Sequence, residues 1–234
     1  MEGTALLDRT DTKFMLDQGT LIELLKEVQG DYRILEVKGI RMNRYKTLYF
    51  DTPDLDFYHL HQNGKKNRHK VRSRKYLDSD LCFLEVKFKN NKGRTIKQRV
   101  VIDDFELDLS SDSQDFILKA SGIDYSLVPA IWNSFTRITL VSKEDTERLT
   151  IDLNLGFQSD EDAIKLDHLV ILEVKQPQAS RNSKFIQALK RRHVRPDRIS
   201  KYCLGVALLK DGIKRNAFKS KILKIEKLDH GFVE

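Results

Sequence analysis

Spacing of two sets bases in rows along the chain: Arg68, Lys70, Arg72 and Arg74, then Lys87 and Lys89 beside Glu85, then Lys97 and Arg99 beside Thr95. In an extended chain, residues two apart share a face. Each segment therefore has a charged side and an apolar side, the latter Cys82, Leu84, Val86 and Phe88 in the second and Ile96, Val100 and Ile102 in the third. Lys13, Arg137 and Arg148 carry the same phase into other segments. Like charges opposite one another weaken a sheet, so a chain that builds such a field is expected to hold a polyanion on it. Guanidinium forks match phosphate oxygens and lysine adds compact charge.

Four carboxylates fall among these bases: Asp11, Glu85, Asp152 and Glu173. In a phosphate site carboxylates commonly hold Mg²⁺ or Mn²⁺, which share the phosphate oxygens; salt bridging to neighbouring arginines is the alternative. Glu173 is favoured as a metal ligand, and Asp152 is carried as a second candidate for which both readings stand. Ser200-Lys201 opens an apolar helical run, where free N–H groups and a lysine would grip an anion; an ordinary N-cap is the bland alternative. The six histidines show no metal-type spacing, and no phosphate-binding glycine loop, dinucleotide fingerprint or nucleophile elbow occurs.

For these side chains to meet, their segments must belong to one sheet. The 234 residues, 40% hydrophobic and 33% charged with a net charge of +7, suit one soluble domain with a real core. We place no internal boundary and treat residues from about 210 to 234 as a Lys-rich C-terminal extension, partly ordered. Cys82 and Cys203 lie in apolar runs without metal spacing, which predicts buried free thiols in a reducing compartment. No signal peptide and no apolar run of ~18–20 residues is visible, so the expected location is cytoplasmic.

In chain order, strands are expected at 9–16, 32–37, 45–51, across the basic block from 67 to 101, at 131–141, 147–155 and 168–176, with the turn of the second basic hairpin at Asn90-Asn91-Lys92-Gly93. Helices are expected at 18–28, after Thr52-Pro53-Asp54 with threonine as cap, and at 110–121, 183–192 and 200–209. About eight strands, each with a charged face that helices cannot cover, predict an α+β protein: a closed eight-stranded antiparallel barrel with a charged lumen and helices packed outside.

The run LYFDTPDLDFYHLHQNGKKNRHKVRSRKY, followed by FLEVKFKNNKGRTIKQRV, FTRITL, ERLTIDLNL, ILEVKQ and RPDRISKYCLG, resembles the VTC (vacuolar transporter chaperone) catalytic domain of the CYTH, or triphosphate tunnel metalloenzyme, superfamily. The resemblance covers roughly residues 9 to 209. It implies a tunnel barrel, a divalent metal with Mn²⁺ favoured over Mg²⁺, and synthesis of inorganic polyphosphate from ATP. By motif, Lys13 matches the family's first-strand lysine, Arg72 and Arg74 its R-x-R pair, Lys87 and Lys97 the lysines of the next two strands, and Arg137 the tunnel arginine. Glu173 matches the metal-binding glutamate and Ser200-Lys201 the S-K pair. The superfamily's first-strand E-x-E-x-K is reduced here to Arg9, Asp11 and Lys13, and Phe135 stands where eukaryotic members tend to have tyrosine. Neither a regulatory SPX domain nor membrane segments lie within these residues.

The expected function is a metal-dependent polyphosphate polymerase. Lys13, Arg72, Arg74, Lys87, Lys97, Arg137 and Lys201 are assigned to catalysis, Arg99, Arg148 and Ser200 to substrate binding, and Glu173 and Asp152 to the metal. ATP and inorganic polyphosphate are the expected partners; nucleic acid is not expected, and a membrane partner is left open. The alternatives are a tripolyphosphatase or nucleoside triphosphatase on the same barrel, and a non-catalytic binder of polyphosphate or RNA. Few aromatics on the basic faces count against RNA, since single-strand binders stack bases on such platforms.

Overall fold

Alternating apolar and polar side chains assemble ten strands into one antiparallel sheet in the computed structural model, which describes residues 10–229 apart from 145, 179 and 181. Arg9, expected on the first strand, and His230 lie outside the described residues. The elements are β1 (Thr10–Asp17), α1 (Gln18–Val28), β2 (Tyr32–Ile34), β3 (Met42–Asp51), α2 (Asp56–Gln62), β4 (Arg68–Tyr76), β5 (Leu81–Lys89), β6 (Thr95–Ile102), α3 (Ser111–Ser121), β7 (Val128–Ser142), β8 (Arg148–Gln158), β9 (Ala163–Leu166), β10 (Leu169–Gln176), α4 (Lys184–Arg191), α5 (Lys201–Leu209) and α6 (Lys219–Asp229). No helix among the described residues is long and apolar enough to cross a membrane.

The closed eight-stranded barrel is not what forms. Eight strands follow the order β1-β10-β8-β7-β3-β4-β5-β6, β2 and β9 attach beside β7 and β8, and no pairing joins β1 to β6 among the described residues. The free edge of β1 is taken instead by the chain leading into α5. The Asp197 N–H donates to the Lys13 carbonyl at 2.7 Å, and Lys13 Nζ donates to the Ile199 carbonyl at 3.3 Å. The strand β6 is left as an exposed edge, so the apolar face expected to be covered there leaves Ile96 and Val100 partly in water. The sheet is nonetheless strongly curved, because residues 199–201 touch β1, β4, β7 and β8 at once.

Helices cover the convex side. Leu21, Leu24 and Val28 of α1 and Phe185, Ala188 and Leu189 of α4 pack on Phe14, Leu16, Leu149, Ile151, Val170, Leu172 and Val174. Helix α5 is apolar nearly all round because it lies in the concave face and fills one end of it. A bulge in β8 makes room. Asn154 sits in the left-handed region at φ 52°, and the register to β7 shifts there. Past it Leu155 and Phe157 turn to the side that Asp152 faces, whereas strict alternation had placed Leu155 with Leu149 and Ile151. Both side chains are buried in one cluster with Tyr202, Cys203, Leu204 and Val206 of α5. Both cysteines are free and buried, as expected.

Two local features go beyond what was expected. Helix α2 begins later than expected, with Leu55 at φ 57° in the cap position; Thr52 Oγ1 accepts from the Asp56 N–H at 3.0 Å, and the Asp51 carboxylate accepts from the N–H groups of Phe57 and Tyr58 at 2.8 and 3.0 Å. The Lys-rich C-terminal stretch is docked through residue 229. Phe218 and Ile225 are buried in the core, and Lys224 pairs with Asp197 at 2.6 Å.

A Cβ on Gly205 would stand 2.5 Å from Cδ1 of Phe157 and 2.9 Å from Cδ1 of Ile131. Helical glycine is unfavourable by about 1 kcal/mol, so close approach is the reason for it here. Gly205→Val is expected to destabilise by about 1–3 kcal/mol through overpacking, measurable as a lower denaturant midpoint.

Candidate active site

Strand register carries one row of side chains across the concave face. Lys13 lies opposite Glu173, Glu173 opposite Thr150, and Asp152 opposite Arg137. On the other wall Thr47 lies opposite Arg74, Tyr49 opposite Arg72, Arg72 opposite Glu85, and Lys70 and Lys87 lie side by side with Lys97 next across. The period-two phases read from separate segments thus fall into one lining.

Within that lining each of three carboxylates is shared by two bases. Glu85 is completely buried, takes Arg72 Nε and Nη2 at 2.7 and 2.6 Å, and pairs with Lys97. Asp152 is held in a fork by Arg137, Nε to Oδ1 at 2.5 Å and Nη2 to Oδ2 at 2.8 Å, and its Oδ2 also pairs with Lys201. Glu173 pairs with Lys175 and, at 3.9 Å, with Lys13. Among the described residues Lys70, Arg74 and Lys87 have no carboxylate. Arg74 is buried, donates to the Thr47 hydroxyl at 3.1 Å, and lies 5.3 Å from the Phe135 ring centre. Lys70 donates to Ser200 Oγ at 2.7 Å.

The electrostatics follow from that shortage. Burial, with the Arg72 charge beside it, lowers Arg74 to about 10. The charge of Arg72 and burial push Lys87 well below the ordinary lysine value. Burial also lowers Lys70 and Lys201. Burial alone would raise the carboxyls, but Lys13 and Lys175 hold Glu173 down at about 2, and Glu85 and Asp152 lie below the usual carboxylate range beside Arg72 and Lys97, and Lys201 and Arg137. The carboxylates are therefore held ionised, while the bases around them repel one another.

The structure brings Lys13, Arg72, Arg74, Lys87, Lys97, Arg137, Asp152, Glu173 and Lys201 into this lining. It does not bring Arg99 to the centre: that side chain is exposed on the free edge and lies 4.6 Å from the Phe83 ring centre. Arg148 is exposed at one mouth of the trough. Ser200 caps α5, accepting from the Cys203 N–H at 3.4 Å as well as from Lys70, so its hydroxyl is already engaged. Both oxygens of Asp152 are occupied, which leaves Glu173 the better placed carboxylate for a metal. Among the described residues no three His, Cys, Asp or Glu side chains converge on a metal position. Mg²⁺ and Mn²⁺ are commonly held by one or two carboxylates plus substrate phosphates, so Glu173 fits that role alone.

Sequence reasoning assigned no role to Lys175, Lys70 or the tyrosines Tyr45 and Tyr49. The lysines are in phase with Glu173 and Arg72, so the signal was present. Tyr49 accepts from Arg72 Nη1 at 3.3 Å, and Tyr45 stacks on Phe135 with centroids 5.0 Å apart. A search for charge passes over such rings.

Glu173, held at about 2, contributes stability that is complete above the ordinary carboxyl value of 4.5 and lost as pH falls through the folded value. Thermal stability is expected to decline as pH falls from about 4.5 to about 2. Glu173→Gln should make it less steeply pH-dependent across that window, read from melting curves; an unchanged slope would remove Lys13 and Lys175 as the cause.

A family model described as the VTC domain matches residues 8–210. No curated protein matches the chain. Among solved structures, a Hippeastrum protein named as an adenylyl cyclase and found to have a dominant triphosphatase activity is 14% identical, with 90% of this chain and 95% of that chain covered and a TM-score of 0.48. A conserved hypothetical protein from Pyrococcus furiosus is 11% identical over 82% of this chain and 98% of its own, with a TM-score of 0.47. An S. pombe RNA triphosphatase solved with a peptide region of Spt5 is 12% identical over 98% of this chain and 77% of its own, with a TM-score of 0.30. On the family match, which runs from residue 8 to residue 210, the chain belongs to the VTC domain family.

Proposed function

We propose that this chain is a polyphosphate polymerase that transfers the γ-phosphate of ATP to the end of a growing inorganic polyphosphate chain. The observation that carries the proposal is the charge shortage of the lining: three ionised carboxylates shared among a larger set of bases, with Lys70, Arg74 and Lys87 left unpaired. Such a site is completed by a polyanion with several equivalent negative groups spaced along it.

In that reading Arg72, Arg74, Lys87 and Lys97 line one wall against the phosphates and Lys13, Arg137 and Lys201 the other. A terminal oxygen of the chain attacks the γ-phosphorus, the bond to the β-phosphate oxygen breaks, and ADP leaves. Charge on the transferred group is met by preorganised donors that do not need to move. Mn²⁺ or Mg²⁺ held by Glu173 would supply further neutralisation of the phosphate oxygens. A phosphate acceptor is already anionic and needs no general base. Water does benefit from one, and an efficient base has a pKa near the working pH. Glu85, Asp152 and Glu173 are all held far below it, which favours transfer to phosphate over hydrolysis.

Incubation with ATP and Mn²⁺ is expected to yield ADP and an acid-labile polymer visible on a gel. Free phosphate as the sole product would assign the site to hydrolysis, and absence of turnover with retained polyphosphate binding would make it a binder. Arg74→Ala should lower the transfer rate by about 10²-fold or more while leaving thermal stability unreduced, because it orphans no carboxylate.

A further inference from the structure

The two ends of the sheet are treated differently. Residue 197 covers the edge of β1, whereas no described residue hydrogen-bonds to the backbone of β6 on the side away from β5. Edge strands that stay single are usually blunted by a bulge, a proline or projecting charge. Strand β6 pairs with β5 without a register shift, contains neither proline nor glycine, and is exposed from Thr95 to Val101. Val101 is 61% exposed, the most of any large apolar side chain among the described residues. The charges on the strand are Lys97, already held by Glu85, and Arg99, which lies against the Phe83 ring. Just past its end, Asp104 pairs with Lys75. Arg99 and Asp103 have no ion-pair partner among the described residues.

We infer that β6 pairs antiparallel with β6 of a second copy of this chain, about a two-fold axis through Val101. Such an axis stands perpendicular to the sheet and returns each face to itself, so it must pass through a residue position. Few positions are available. An axis through Gln98 sets Lys97 opposite Arg99 of the second copy, and one through Arg99 sets that guanidinium opposite itself; like charges in these places weaken a sheet. An axis through Val100 offers Asp103 only the engaged Lys97, and sets Gln98 against Ile102 and Arg99 against Val101. The axis through Val101 sets Val101 against itself, Val100 against Ile102, and Gln98 against Asp104. It also sets Arg99 against Asp103, twice by symmetry. The two charges left single within one chain thus answer each other between two chains, and the most exposed apolar side chain falls at the centre. This surface lies on the edge of the sheet, and the inference does not depend on the phosphate reading of the trough.

The test is sedimentation velocity on the full chain over a range of concentrations, in wild type, in Arg99→Asp, in Asp103→Arg, and in an equimolar mixture of the two variants. Wild type is expected to pass from monomer to dimer as concentration rises. Each variant alone turns two attractive cross-strand pairs into two repulsive ones and should dimerise roughly tenfold more weakly. The mixture restores an Asp–Arg pair at both places, so it should dimerise about as well as wild type, which misfolded variants could not do. A wild type that stays monomeric at the highest attainable concentration would overturn the inference. So would a dimer that neither variant weakens, or a mixture no better than its components.

Discussion

Unbalanced positive charge on the inside of a curved sheet is the constraint the rest of the molecule answers to. Charges taken out of water are costly unless paired, and bases outnumber carboxylates along this lining. The compromise is sharing: Glu85 and Asp152 each hold two bases from neighbouring strands or α5, and Glu173 holds Lys13 of β1 and Lys175 of its own strand. Each shared carboxylate also ties strands together from the inside, along the part of the concave face that α5 does not fill. The convex face must then supply the cohesion, and there α1 and α4 bury a continuous apolar cluster.

The approach to α5 settles how the sheet ends. A closed barrel would pair β1 with β6, yet the backbone of residue 197 takes the free edge of β1 and the next residues cross the concave face. This route lets one segment do two things. It satisfies an edge that would otherwise expose hydrogen-bonding groups, and it delivers Lys201 to Asp152 from outside the sheet. The bulge at Asn154 belongs to the same arrangement. It converts the lower inner face of β8 from polar to apolar, so that an oily helix and a charged trough share one concave surface.

Most of the sheet was legible because its signal is local. Arg72, Lys87, Arg137 and Glu173 each stand in phase on their own strands, and period two is enough to predict that they face one side. The position of α1 and the cap of α5 at Ser200 were readable for the same reason. Closure was not, since it depends on whether β1 meets β6 or residue 197, a contact between segments far apart in sequence. The bulge escaped because one left-handed asparagine reverses the phase of Leu155 and Phe157 without any change in composition. Helix α2 was legible in part: Thr52 serves its first N–H, but the share of Asp51, five residues ahead of its first residue, was not, because that side chain is buried and bonded to Tyr202 as well as to the next two helix N–H groups.

Pairing also limits the chemistry such a lining can do. A carboxylate that neutralises two bases is a poor proton acceptor, and none of Glu85, Asp152 and Glu173 is spared that duty. The bases are the adaptable partners instead: Lys87 is pushed down chiefly by the Arg72 charge and Arg74 chiefly by burial, with Arg72 adding to it. An entering polyanion relieves that repulsion and raises both again, so binding and full protonation of the lining reinforce one another. A site built in this way gains most from ligands carrying negative charge at several points, and it gains least from water. That asymmetry is what favours the proposed transfer between phosphate groups over hydrolysis.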